Sequence, residues 1–254
     1  MEALSAEANL RALSFVRALG TRLGGNRCHR MSGPQNNFKQ LSPQAYAWAG
    51  YVGLGGCVAA VAGDSASVAL RDGMSLIADS ISRTAAGEHS IMVDAGLCFF
   101  ALGILGIARA LHHWKLDGKA YRFGTISLAL CAASIFFLAV WDGYDPDAAD
   151  DLGLHMMLLY AMSVLFPLSL LLLASGLGEV HRNWKLFCWA VVALWIIAGP
   201  IYYLNPDHLK GLFERVTMSL IVIWVAAISV LLIRRSGRAA VASVHDERWR
   251  AAKR

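Results

Sequence analysis

Six long apolar runs divide the chain, near residues 44–63, 91–111, 122–141, 154–176, 185–204 and 215–233, and polar residues gather in the short stretches between them. A membrane-crossing helix needs about 20 mostly apolar residues, because the hydrocarbon core is about 30 Å thick. Backbone groups inside lipid must be satisfied within the segment, so the runs predict helices. Alternating segments of about 10 residues, the mark of a membrane barrel, do not occur. The predicted fold class is all-α: a polytopic bundle of six transmembrane helices. The membrane domain spans 44–234, between basic tails at 1–43 and 235–254.

Two polar stretches carry a helical pattern of their own. In the loop after the first run, Leu70, Met74, Ile77 and Ile81 recur at helical spacing, with Arg71, Asp72, Ser75, Asp79 and Ser82 on the other face. This predicts an amphipathic helix lying at the interface and capping the bundle. In the N-terminal tail, Ala12, Val16, Leu19 and Leu23 line one face of a basic segment, which predicts a helix on the membrane surface. Met31 is an alternative start.

Composition agrees with the membrane reading: 57% of residues are hydrophobic, 16% are charged, and mean hydropathy is +0.49. Soluble domains carry about 25% charged residues. Four of the five cysteines lie in apolar runs and no CxxC occurs, so neither a disulfide framework nor a zinc motif is expected.

Charge then orients the bundle. The two tails and the second and fourth loops hold 19 of the 23 Lys and Arg and 6 of the 18 Asp and Glu, a net of +13. The other loops and their flanking helix ends carry a net of −8. Positive charge collects on the cytoplasmic side, so both termini are expected there, in an inner (plasma) membrane. The pI of about 9.1 thus needs no nucleic-acid partner.

Four features give the chain a family resemblance. "DSIS" (Asp79 to Ser82) occupies the first outer loop, and Asp94 lies near the start of the apolar span "MVDAGLCFFALGILG". An acidic loop with "YDPD" from Tyr144 follows the third span, with His155 opening the fourth. "GLFERVTMSL" (Gly211 to Leu220) opens the last span. In this order and spacing the chain resembles the bacterial membrane family called domain of unknown function 998, over about residues 45–235. Arg83 departs from the small residue usual after "SIS", and Asp94 from a frequent amide. The resemblance implies a bacterial six-span protein and carries no activity with it.

Asp64, Asp94, Asp142, Asp145, His155, Glu214 and Arg215 fall at the outer ends of different spans, at similar depth. Ionisable groups at membrane depth are costly and face the bundle interior or a wet cleft. Three readings compete. In a structural cluster, Asp94 pairs with Arg215 and His155 caps the fourth helix. In a binding site, a lipid or small amphiphile enters a cleft opened by Pro167 or Pro200. In a metal-dependent hydrolase, His89, Asp94 and His155 are the ligands, though no HExxH or HxxxH supports them. A pair of His155 with Ser80 or Ser82 lacks a GxSxG frame. A pair of bis-histidine haems is disfavoured because His89, His112, His113, His155 and His181 sit at helix ends. "GLGGCVAAVAG" (Gly53 to Gly63) lies within a span and lacks a GKS/T, so it reads as helix packing through small residues, as do Gly103 and Gly106. The expected function is non-enzymatic binding or handling of a lipid or amphiphile at the outer face, or service as an accessory membrane subunit. The hydrolase is the alternative. No cofactor is expected; membrane lipids and protein subunits are the expected partners.

Overall fold

The computed structural model describes residues 41–86, 89–114, 116, 118–140, 153–204 and 207–252. The helix expected in the N-terminal tail and the "YDPD" loop, with Asp142 and Asp145, lie outside the described residues. Helix α1 is Pro43–Ala69. Ser42 caps it, its Oγ accepting from the Ala45 N–H at 3.3 Å, and Pro43 takes a first-turn position, where a missing N–H costs nothing. A single helical turn, α2 (Ile81–Thr84), follows in the loop. Then come α3 (Ser90–His112), α4 (Lys119–Val140), α5 (Leu154–Val180), α6 (Arg182–Leu204) and α7 (Lys210–Ala252), the last preceded by a 3₁₀ turn at Asp207–Leu209.

Six of these helices contain segments of 20–29 residues that are long and apolar enough to cross a membrane. At about 1.5 Å per residue, even the shortest matches the hydrocarbon thickness. The lateral surface confirms the solvent: Trp48, Val58, Ile91, Phe123 and Val164 are 63–70% exposed. Water would tolerate such a surface poorly, whereas lipid suits it. The chain is a multi-span membrane protein.

The six long helices close a ring in chain order: α1 packs on α3, α3 on α4, α4 on α5, α5 on α6, α6 on α7, and α7 back on α1. His181, in an extended conformation, alone separates α5 from α6. The ring is filled by Phe100, Ile104, Phe166, Leu170, Trp224 and Ile228, all fully buried. Lipid supplies little hydrophobic drive between helices, so close approach must hold them. The α1–α3 seam does this through small residues, as the sequence suggests. A Cβ on Gly103 would stand 3.0 Å from the Gly53 Cα, and one on Gly56 would stand 2.7 Å from the Phe99 carbonyl oxygen.

At the end of the bundle away from α2, aromatic hydroxyls satisfy the last carbonyls of α3. Tyr121 donates to the Leu111 carbonyl and Tyr46 to that of His113, each at 3.1 Å. The Arg235 guanidinium stacks 4.0 Å over Trp114 and 5.3 Å over Tyr46, tying α7 to α1 and the end of α3.

The helix expected in the first loop is present but is one turn long. Leu70, Met74 and Ile77 lie on turns before it. Gly73 has φ +81°, which stops a helix, and local side chains offer the backbone other partners. Asp79 accepts from the Ser75 N–H at 2.8 Å, Ser75 Oγ from the Ile77 N–H at 3.2 Å, and Ser80 caps α2 by accepting from the Arg83 N–H.

Candidate functional site

The loop 70–86 lies across one end of the bundle and is fastened there by the first turns of α7. The Gly211 and Leu212 N–H groups, which have no partner within their own helix, donate to the Ala78 and Ile77 carbonyls at 3.3 and 2.9 Å. The approach needs glycine: a side chain on Gly211 would run into the Asp79 carbonyl.

Arg215 completes the fastening. Its Nε and Nη2 meet the two Asp64 oxygens at 2.8 Å each, a bidentate pair with only 15% and 13% of the two side chains exposed. Its Nη1 donates to the carbonyls of Leu76 (2.8 Å), Asp79 (2.6 Å) and Gly211 (3.3 Å). One guanidinium therefore joins α1, the loop and α7. The expected pairing of Arg215 with Asp94 is corrected: its carboxylate is Asp64. The reason is the ring closure, which sets the last turns of α1 against the start of α7. Asp94 lies half-buried in the first turns of α3.

Thr84 extends the network: its hydroxyl donates to the Ile81 carbonyl at 2.7 Å and lies 3.3 Å from Asp64 Oδ1, while Ser67 donates to the Thr84 carbonyl at 3.1 Å. Arg71 donates to the carbonyls of Arg83, Thr84 and Ala86, and Arg83 pairs with Asp79 at 3.1 Å. Arg71, Ser75 and Asp79, placed by sequence on the polar face of a capping helix, are thus committed to holding the loop itself.

Beside this clamp sits a second group. Glu214 Oε2 accepts from the Ile81 N–H at 2.7 Å, which fixes the start of α2. Glu214 Oε1 lies 3.4 Å from the Ser82 hydroxyl, and His155 Nε2 lies 3.2 Å from the same oxygen. Two residues, His155 from α5 and Glu214 from α7, thereby converge on the hydroxyl of Ser82. Ser80, the other serine considered for a pair with His155, is occupied as the α2 cap.

Two hollows meet at this group. The smaller, about 50 Å³, is lined by Ser82, His155 and Glu214 with Leu97, Ile135 and Met218 among its apolar walls. The larger, about 310 Å³, lies between α5, α6 and α7 and is bounded by Met162, Trp195, Gly199, Pro200, Glu214 and Thr217. Glu214, Leu159, Met162 and Met218 border both. The larger hollow opens to the side, since Ile196 on its wall is 62% exposed.

The two prolines of the spans have different consequences. Pro167 has no N–H for the carbonyl four residues earlier, that of Ser163. The Trp195 indole supplies the missing donor from α6, at 3.0 Å, and so plants its ring in the wall of the larger hollow. Pro200 lines that hollow directly. The groove expected beside Pro167 is corrected: the hollow is instead bordered by Pro200 and not by Pro167, which acts through Trp195.

His89 flanks the start of α3 without a side-chain capping bond. His89, Asp94 and His155 do not form a group able to hold a metal ion, nor do any three His, Cys, Asp or Glu among the described residues.

The family model for a protein of unknown function, DUF998, matches residues 54–231. The chain belongs to the DUF998 family. The match runs from the middle of α1 to the transmembrane part of α7, so the DUF998 unit includes the Arg215 clamp, the Ser82 group and both hollows. No curated protein and no solved structure matches this DUF998 chain.

Proposed function

We propose that the protein binds a lipid or other single-chain amphiphile from within the bilayer, with the tail between α5, α6 and α7 and the polar head at Glu214. The observation that carries this reading is the position of Glu214. A carboxyl group stands where an apolar, laterally open hollow meets a smaller chamber that holds Ser82 and His155. Apolar walls with a few convergent polar groups suit an amphiphile. Glu214 Oε2 is engaged by the Ile81 N–H, which leaves Oε1, at 3.4 Å from Ser82, the better placed to accept from a hydroxyl or ammonium of the head. The charge asymmetry of the loops supports an orientation with this end at the outer face and both termini in the cytoplasm of a bacterial cell.

Gly199 offers the test. It borders the larger hollow, and a Cβ placed there meets nothing within 4 Å. Gly199→Leu therefore adds a branched side chain at the border of the tail site, starting from a Cβ in open space. Native mass spectrometry in mild detergent is expected to find an amphiphile retained by the wild-type protein and reduced about tenfold or more in the variant, a loss of about 1.4 kcal/mol in affinity. Equal retention, or a wild-type protein that carries no amphiphile, overturns the reading.

A further inference from the structure

We infer that Ser82 is a nucleophile toward the acyl ester of a bound amphiphile, with His155 as its general base. The inference rests on the binding reading above and adds a reaction to it.

Three observations carry it. First, Ser82 Oγ and His155 Nε2 are 3.2 Å apart, the reach of a serine and its base. Second, the pair is held by elements that cannot drift independently. Glu214 fixes the Ile81 N–H next to Ser82 in the chain, and the Arg215 clamp fixes the loop before it. Third, the pair opens on the small chamber that shares four wall residues with the apolar hollow. A tail lying in the hollow sets its ester carbonyl toward Ser82. The residue types Ser, His and Glu are spread over the loop, α5 and α7, which is why no local motif announces them.

Ser82 has two neighbours able to take its proton. Glu214 is farther, at 3.4 Å, and its other oxygen already accepts from Ile81. His155 is therefore assigned the base and Glu214 a positioning role through Ile81. In the step, Ser82 Oγ attacks the carbonyl carbon as its proton passes to His155 Nε2. The C–O bond to the alcohol breaks, and the alcohol leaves with the proton held by His155. Water then attacks the acyl group on Ser82, giving a proton to His155. The fatty acid departs and that proton returns to Ser82. The sum is ester plus water to acid plus alcohol.

The test is covalent labelling of the full-length protein in detergent micelles with a long-chain alkyl fluorophosphonate. There Ser82 Oγ displaces fluoride from phosphorus. One adduct is expected, located on Ser82 by peptide mass spectrometry and absent from S82A. H155Q is expected to slow labelling by about 100-fold or more, the usual worth of a general base. E214Q keeps an acceptor for the Ile81 N–H but alters the head site, so at saturating probe it is expected to slow labelling by less than H155Q does. Thermal unfolding of each variant separates lost chemistry from lost fold. A folded wild-type protein that retains its amphiphile but gains no adduct on Ser82 overturns the nucleophile and leaves binding standing. No adduct together with no amphiphile overturns both. An adduct whose rate follows E214Q and not H155Q overturns His155 as the base.

Discussion

Arg215→Ala is the sharpest probe of the clamp. The substitution removes the partner of both Asp64 oxygens, at 2.8 Å each, and the donor to three carbonyls. Only 13% of the Asp64 side chain is exposed, so water replaces the guanidinium poorly. The Thr84 hydroxyl, 3.3 Å from Asp64, is a poor substitute because its one proton has the Ile81 carbonyl at 2.7 Å. Breaking a buried pair from one side costs about 3–5 kcal/mol, because the surviving charge is left without its counterpart. For a chain of this size a loss of 1 kcal/mol lowers Tm by about 2–4 °C, so a fall of about 6–20 °C is expected. The protein carries its own reporters: Cys57, Cys131 and Cys188 are buried free thiols that become reactive when the bundle opens. Thermal unfolding in micelles, followed with a thiol-reactive dye, reads the shift. Asp64→Asn keeps one acceptor and should cost less. The double variant should fall short of the sum of the singles by about 1–3 kcal/mol, as contacting residues do. A fall of less than about 3 °C for Arg215→Ala, or strictly additive losses, refutes the clamp.

Trp195→Phe leaves the Ser163 carbonyl without its donor and is expected to cost about 1–3 kcal/mol. In a Pro167→Ala background the restored helical N–H serves that carbonyl, so the same change should cost markedly less, as a double-mutant cycle would reveal. Gly56→Ala and Gly55→Ala differ by one position. The first drives a Cβ against the Phe99 carbonyl and should destabilise by about 1–3 kcal/mol, while the second meets open space and should be neutral in the same melting assay.

The spans were legible because lipid imposes one simple demand, an unbroken apolar run of sufficient length, and the chain meets it six times. The small residues of the α1–α3 seam were legible for the same reason: glycine inside a span has few other uses. The partner of Arg215 was not. Asp64 and Asp94 lie at equivalent depth in different helices, and the choice depends on which helix stands beside α7, a consequence of ring closure that no local pattern encodes. The loop misled through its own periodicity. Leu70, Met74, Ile77 and Ile81 fit a helix, yet Ser75, Asp79 and Gly73 supply competing turns that an apolar count ignores. His155 and Glu214 were visible as costly charges at membrane depth. Ser82 was one hydroxyl among several, singled out only when α5 and α7 bring a ring nitrogen and a carboxylate to it. The Trp195 bond was half visible, since Pro167 names the carbonyl that must seek a donor but not the helix that provides one.

The way the loop is bolted to α7 also decides by which route a guest can arrive. Lifting that roof would tear Arg215 from the Leu76 and Asp79 carbonyls and the Gly211 and Leu212 N–H groups from Ala78 and Ile77, whereas Ile196 and Pro200 already stand at an uncovered doorway in the flank. On the proposed reading, an amphiphile would come through the wall after dissolving among the hydrocarbon chains, and the surrounding bilayer would act as the first filter on it.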